Sequence, residues 1–222
     1  MFVSIIIPVL NEENSIKELL QQLQPYRNQG HEVIVVDGGS EDNTVSISES
    51  LADKVIQSPP GRAVQMNKGA TQAKFDSLWF LHADTLVLNN AVEKIERALN
   101  TNNWGRFNIK LSGKNILFRV IETMINIRSR LTGIATGDQG IFVNRKLFDS
   151  VDGYYEIPLM EDVDLSKKLK MLSKPVCLKE RLTTSSRRWE KNGILTTVML
   201  MWKIRFLYWL GVSAERLALQ YK

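Results

Sequence analysis

The sequence predicts an α/β fold: a Rossmann-like, mostly parallel sheet flanked by helices, followed by a C-terminal helical segment. Three observations predict it. The short runs Val3–Pro8, Val33–Val36 and Leu78–Leu81 are apolar almost without alternation, as strands covered on both faces are. The first two are each followed by a polar turn and a segment with helical spacing, the alternation of a parallel sheet. All three run into polar residues, where ligands of open α/β sheets bind.

Taken in order, Val3–Pro8 is a strand closed by proline, and Ile16–Leu23 is a helix by its apolar spacing. The acidic pair Glu12-Glu13 before it suits the positive end of the helix dipole. Val33–Val36 ends on Asp37-Gly38-Gly39-Ser40, and Glu41 opens a helix through about Leu51. That turn has no Gly-x-Gly-x-x-Gly fingerprint of dinucleotide enzymes. Asp37 there is either a ligand for a ribose or base or the cap of a tight turn. Lys54–Gln57 is a third strand, and the stiff loop Pro59-Pro60-Gly61 delivers Arg62 to a helix start, a combination suited to an anion. Leu78–Leu81 leads to His82 and Asp84, a carboxylate placed to hold a hard divalent cation against phosphate oxygens. Asn89–Leu99 follows as a helix.

The pattern changes from about Phe107. Asn115–Arg130 reads as a helix with an apolar stripe (Ile116, Val120, Met124, Ile127) and basic residues on its other faces. Thr136-Gly137-Asp138-Gln139-Gly140 precedes the strand Ile141–Val143, and Leu147–Val151 is a short helix. Glu161, Asp162 and Asp164 open a helix running to about Leu172; capping alone would explain acids there. Val176–Leu178 is a strand, Ser185–Trp189 a loop, and Ile194–Val212 an apolar and aromatic helix carrying Lys203 and Arg205.

The bulk numbers fit one soluble domain with a helical appendage. The 222 residues can bury a full core, and 44% hydrophobic with 24% charged residues is ordinary for a globular chain. The single cysteine, Cys177, excludes an internal disulfide, fits a reducing compartment and reads as a buried strand residue rather than a catalytic thiol. The start has no basic region or cleavage site of a signal peptide, so a cytoplasmic protein is expected. Charge is uneven: residues 1–110 hold 10 Lys/Arg against 13 Asp/Glu, whereas residues 111–222 hold 19 against 11. The second half therefore expects an anionic partner. No zinc-finger or RNA-binding signature is present, so nucleic acid is not expected.

The motifs fall into one order. Ser4–Pro8 through Asn11-Glu12, Val36–Ser40 with Asp42-Asn43-Thr44, and Gly61-Arg62-Ala63 through Gln65, Asn67 and Gly69-Ala70 come first. Leu81–Thr85, Gly137–Gly140, Glu161-Asp162 and Ser185–Trp189 follow. Over residues 1–190 the chain resembles the family 2 glycosyltransferases, particularly a compact bacterial group of similar length. The resemblance implies a GT-A fold over 1–190, with a nucleotide half over about 1–110 and an acceptor half over about 111–190, and it leaves 191–222 as a C-terminal amphipathic helical segment. It implies a nucleotide-diphosphate sugar donor, UDP-linked by preference, and a bound Mg²⁺ or Mn²⁺. Pro8, Asn11 and Glu12 would line base and ribose, Asp37 would hold the base or ribose edge, and Arg62 would lie beside the phosphates. Asp84 matches the last acid of the Asp-x-Asp motif and would bind the metal, while His82 stands where that motif often has its first Asp. Asp162 matches the general base, and Glu161, Asp138 and Gln139 would contact sugar or acceptor hydroxyls. Arg188-Trp189 resemble the end of a Gln-x-x-Arg-Trp motif near acceptor and pyrophosphate; Ser185 replaces its Gln, which implies a single transfer rather than processive synthesis.

The expected reaction is sugar transfer to an acceptor hydroxyl with inversion. A sugar-phosphate nucleotidyltransferase is the enzymatic alternative, but its glycine-rich phosphate loop is absent after Val3–Pro8. A non-catalytic nucleotide-sugar-binding or membrane adaptor protein is the other. Lys203 and Arg205 near the middle of Ile194–Val212 argue against a membrane span, at about 2.5–3.5 kcal/mol each on insertion scales. Trp202, Phe206, Tyr208 and Trp209 suit a membrane surface, with the two cations facing anionic headgroups and a lipid-linked or hydrophobic acceptor presented there. The same helix could instead pack on the domain or on a second subunit, as in a homodimer.

Overall fold

The computed structural model describes residues 1–221. Eight strands form one sheet in the order β3-β2-β1-β4-β7-β6-β8-β5. The first four in space are β3 (Lys54–Gln57), β2 (Glu32–Asp37), β1 (Val3–Val9) and β4 (Ser77–Phe80), all parallel. Beyond β4 lies β7 (Phe142–Asn144), antiparallel to β4 and to β6 (Trp104–Leu111). β8 (Val176–Thr184) runs parallel to β6, and the two-residue β5 (Thr85–Leu86) closes the edge. The expected mostly parallel sheet is present, with its antiparallel pairs all on the β7 side of β4.

Apolar clusters cover both faces, as unalternating strands require. Ile5, Ile7, Val33 and Val35 pack against α1 (Glu13–Asn28) and α4 (Ala91–Leu99). Ile6, Ile34, Val36 and Phe80 pack against α3 (Arg62–Gln72) and α7 (Glu161–Leu172). Gly69 is fixed by this layer: a Cβ there would meet Ile6 Cγ2 at 2.5 Å, so only glycine lets α3 lie this close to the sheet.

Several sequence readings change. The helix α2 (Thr44–Leu51) starts at Thr44 rather than Glu41, because Asp42 turns the chain by accepting from the Thr44 amide (3.0 Å). β6 broke the expected apolar pattern because its inward side chains include Arg106, 1% exposed. β8 is longer than Val176–Leu178, and Cys177 is half-buried rather than buried. Ser185–Trp189 is not all loop, since α8 (Arg187–Asn192) begins inside it. On α5 (Ile116–Thr132) the stripe Ile116, Val120, Met124 and Ile127 faces outward. The inward face instead carries Phe118, Ile121, Glu122 and Asn126. Asn126 behaves like a strand neighbour of β6, accepting from the Ile109 amide (2.9 Å) and donating to its carbonyl (3.0 Å).

The C-terminal segment forms two helices, α9 (Ile194–Trp209) and α10 (Ala214–Tyr221). Ile204 and Leu217 bury against Leu159, Met160 and Val163, so both helices pack on the chain around the start of α7. Among the described residues no helix is long and apolar enough to cross a membrane. α6 (Arg145–Ser150) completes the helices.

Candidate active site

A cavity opens at the carboxyl ends of β1 and β4, where an open α/β sheet places its ligands. The first half contributes Pro8 near the end of β1, Glu12 before α1, Arg62 at the start of α3, and His82 and Asp84 after β4. The second half contributes Asp138 on a one-turn 3₁₀ segment, Glu161 and Asp162 at the start of α7, and Arg188 and Trp189 of α8. From the C-terminal helices Arg205 and Tyr221 join them, beside Thr197 and Met201.

Three expected ligand residues are engaged elsewhere. Asp37 is buried, and its carboxylate accepts from the amides of Gly39 (2.9 Å) and Ser40 (3.1 Å), the tight-turn alternative left open by the sequence. Asn11, at φ 55°, accepts from the Glu41 amide (2.9 Å) while its own amide donates to Ser40 Oγ (2.9 Å). Thr44 Oγ1 takes the Glu12 amide at 2.8 Å, so these residues clasp the loop after β1 to the loop after β2. Gln139 is fully buried and caps its own turn, accepting from the Thr136 amide (3.1 Å). Gln65 has the same kind of duty: its Nε2 donates to the carbonyls of Val9 (2.8 Å) and Val36 (2.7 Å), tying together the ends of β1 and β2.

His82 does not stand open to a metal. Its Nδ1 lies 3.2 Å from Asp138 Oδ1, and Gly137 is pressed against the ring, where an added Cβ would sit 2.4 Å from Nε2. Burial lowers the His82 pKa, but the hydrogen bond to Asp138 and nearby carboxylates outweigh it, so the ring holds its proton more tightly than usual. Asp84 differs. Burial raises its pKa, His82 opposes and Asp138 adds to the rise, so its negative charge is incompletely balanced. That suits a divalent cation. Among the described residues no group of three or more His, Cys, Asp or Glu is placed to hold a metal. A hard cation at Asp84 would therefore need ligands beyond the protein's own side chains.

The α7 start is strained into place. Met160, a buried non-glycine residue at φ 70°, precedes Glu161 and turns the chain so that both acids face the cavity. Asp162 Oδ2 accepts from the Gly137 amide (2.8 Å) and Oδ1 from the Val163 amide (2.6 Å), so the carboxylate is fixed while keeping further lone pairs. Burial and the neighbouring Asp162 push Glu161 up to about 7, against the pull of Arg62. On the opposite wall the Arg188 guanidinium stacks 3.5 Å from the centre of the Tyr221 ring and donates to the Tyr221 carbonyl.

The profile of glycosyl transferase family 2 matches residues 4–136. The chain belongs to this family. Poly-beta-1,6-N-acetyl-D-glucosamine synthase of Staphylococcus aureus (strain MSSA476) is 25% identical over 186 residues, covering 75% of this chain and 45% of the relative. The chain thus spans less than half the length of that relative. Among solved structures, S. aureus TarS 1-349 in complex with UDP-GlcNAc superposes with TM-score 0.69 at 21% identity, over 83% of this chain and 58% of the other. Glucosyl-3-phosphoglycerate synthase of Mycobacterium tuberculosis, in complex with Mn²⁺, UDP and glucosyl-3-phosphoglycerate, gives 0.62 at 16% identity, over 82% and 70%. The fold shared with these is GT-A.

Proposed function

We propose that this chain is a glycosyltransferase that moves a sugar from a UDP-linked donor to an acceptor hydroxyl with inversion, assisted by Mg²⁺ or Mn²⁺, with Asp162 as general base. The observation that carries the reading is the convergence of Asp84, Arg62 and the Glu161-Asp162 pair on one cavity. The similar structures that hold UDP-GlcNAc, or UDP with Mn²⁺, support the donor and the metal.

In this reading Pro8 and Glu12 border the nucleotide, with Asn11 and Asp37 shaping that end of the site through the turns they hold. A cation at Asp84 would supply charge neutralisation of the departing diphosphate. Arg62 and Arg188 add their guanidinium groups to the same task in a closed site. Asp162, held by two amides, receives the proton of the acceptor hydroxyl as it attacks the anomeric carbon from the opposite face. Glu161, poised near neutrality, hydrogen-bonds a sugar or acceptor hydroxyl; its value also makes it the second candidate for the base. His82 holds Asp138, and Trp189 offers an apolar wall to the acceptor.

Residues 1–110 serve as the donor half, 111–190 as the acceptor half and the described part of the C-terminal segment, 191–221, as a cover that also offers a membrane face. Leu195, Met199, Trp202, Phe206 and Trp209 are exposed at helical spacing on α9, and the α5 stripe is exposed as well. These faces suit peripheral contact with an anionic membrane presenting a hydrophobic acceptor. Arg205 takes no part in that contact: contrary to the sequence reading it turns into the cavity, whereas Lys203 stays exposed. The test is release of UDP from a panel of UDP-sugars with Mn²⁺. Release that needs an acceptor supports transfer; no binding of any UDP-sugar would refute the donor assignment.

A further inference from the structure

Two partly exposed arginines of the basic second half, Arg128 and Arg205, bury part of their guanidinium groups. Arg128 extends from α5 and Arg205 from α9, and Arg205 lines the cavity together with Thr197 and Met201 of its own helix. Both lie within electrostatic reach of Asp162. Among the described residues, Nε and Nη2 of Arg128 and Nε of Arg205 are closed to solvent and have no hydrogen-bond partner. Asp162 does not supply one, since its oxygens take the amides of Gly137 and Val163.

Such groups are costly. A buried N–H without an acceptor forfeits its hydration, the more so when it is charged. Here two like charges share the deficit: burial, and then Arg205, pull the Arg128 pKa down to about 10, against the opposing field of Asp162. The nearby carboxylate therefore does not satisfy the pair. What is missing is an acceptor-rich anion. Guanidinium forks match the oxygens of phosphate in charge and geometry, and two of them balance a phosphate monoester dianion where a carboxylate would balance only one.

We propose that Arg128 and Arg205 form a receptor for a phosphate group carried by the acceptor, which holds the attacking hydroxyl beside Asp162. The proposal rests on the reading of Asp162 as the base. The donor diphosphate has its own cations in Arg62 of α3 and Arg188 of α8, whereas this pair arises from α5 and α9. The phosphate could belong to a soluble metabolite or to a lipid; the exposed apolar faces of the same two helices make both chemically accessible.

Calorimetry on the full chain tests it. UDP binding with Mn²⁺ is measured first, then binding of sn-glycerol 3-phosphate, glycerol, glycerate and decyl phosphate. Glycerol 3-phosphate should bind, glycerol should not, and Arg205→Gln or Arg128→Gln should weaken the phosphate by about tenfold or more while UDP binding is unchanged. Decyl phosphate binding more tightly than glycerol 3-phosphate assigns a lipid source, and equal binding a soluble one. Glycerol 3-phosphate binding no better than glycerol or glycerate, or binding the Gln variants as it binds the parent, overturns the proposal. Should a Gln variant lose UDP binding as well, Arg205→Lys and Arg128→Lys decide: weakened phosphate with intact UDP supports the receptor, and parental phosphate affinity overturns it. A parent that fails to bind UDP refutes the donor reading alone, because the phosphate arm is read separately.

Discussion

The two halves of the molecule use polar residues in opposite ways. In the first, nearly every polar side chain near the sheet's carboxyl end is consumed by the backbone: Asp37 by its own turn, Asn11 and Thr44 by neighbouring loops, Gln65 by two strand carbonyls. In the second, charges are left incompletely matched: Glu161 sits near 7, Arg128 near 10, and Arg205 keeps an unpartnered Nε. The first half is a rigid frame with Arg62 and Asp84 set at its edge. The second is the half whose groups await substrate.

The largest effect expected from this contrast is at Asp84. Asp84→Ala should abolish the Mn²⁺ dependence of UDP binding while leaving the fold intact, because the residue stands at the open end of β4. In the parent, Mn²⁺ should bind far better with UDP than without it, since the protein alone offers no preformed cage among the described residues. Titration of Mn²⁺ into protein with and without UDP reads both, and tight binding without nucleotide would break the assignment.

Next in size is a pair of stability measurements. Gln65→Ala removes two hydrogen bonds to strand carbonyls, although the Gly38 amide still reaches that of Val9 (2.9 Å), and should cost roughly 2–3 kcal/mol in denaturant unfolding. Arg205→Gln removes a buried cation with an unmet donor and should change stability by less than about 1 kcal/mol. A reversal of that order would end the distinction between frame and working half.

Smaller still is the pH effect of Glu161. Its folded pKa, about 7, lies above its ordinary 4.5, so between those values the folded state binds the extra proton. Stability should therefore fall as pH rises from about 4.5 to 7 and level off above, by roughly 1–3 kcal/mol. Glu161→Gln should flatten that slope in parallel pH-dependent melts. An unchanged slope would place the proton elsewhere.

How far the sequence could be read follows the same division. β1, β2, β3 and β4 were legible because their apolar runs are bounded by turns, and Arg62, Asp84, Glu161 and Asp162 were placed in the cavity as expected. β6 was not, because the buried Arg106 interrupts its pattern and only long-range packing buries a guanidinium. The direction of the α5 stripe was not legible for a related reason: the inward face bonds to β6 through Glu122 and Asn126, leaving these apolar side chains outside. Arg205 did carry a signal, a lone cation amid apolar residues near the middle of α9. Only the fold shows that it turns toward Asp162, and nothing in the sequence brings Tyr221 beside Arg188.

The central claim is that Asp162 takes the acceptor's proton, and the direct measurement is transfer by Asp162→Asn beside its UDP affinity. The substitution keeps the shape and removes the basicity. Transfer should fall by roughly 10²–10⁴-fold with UDP and Mn²⁺ binding unchanged. Near-parental transfer would contradict the account, reducing Asp162 to a helix cap and leaving Glu161 as the base.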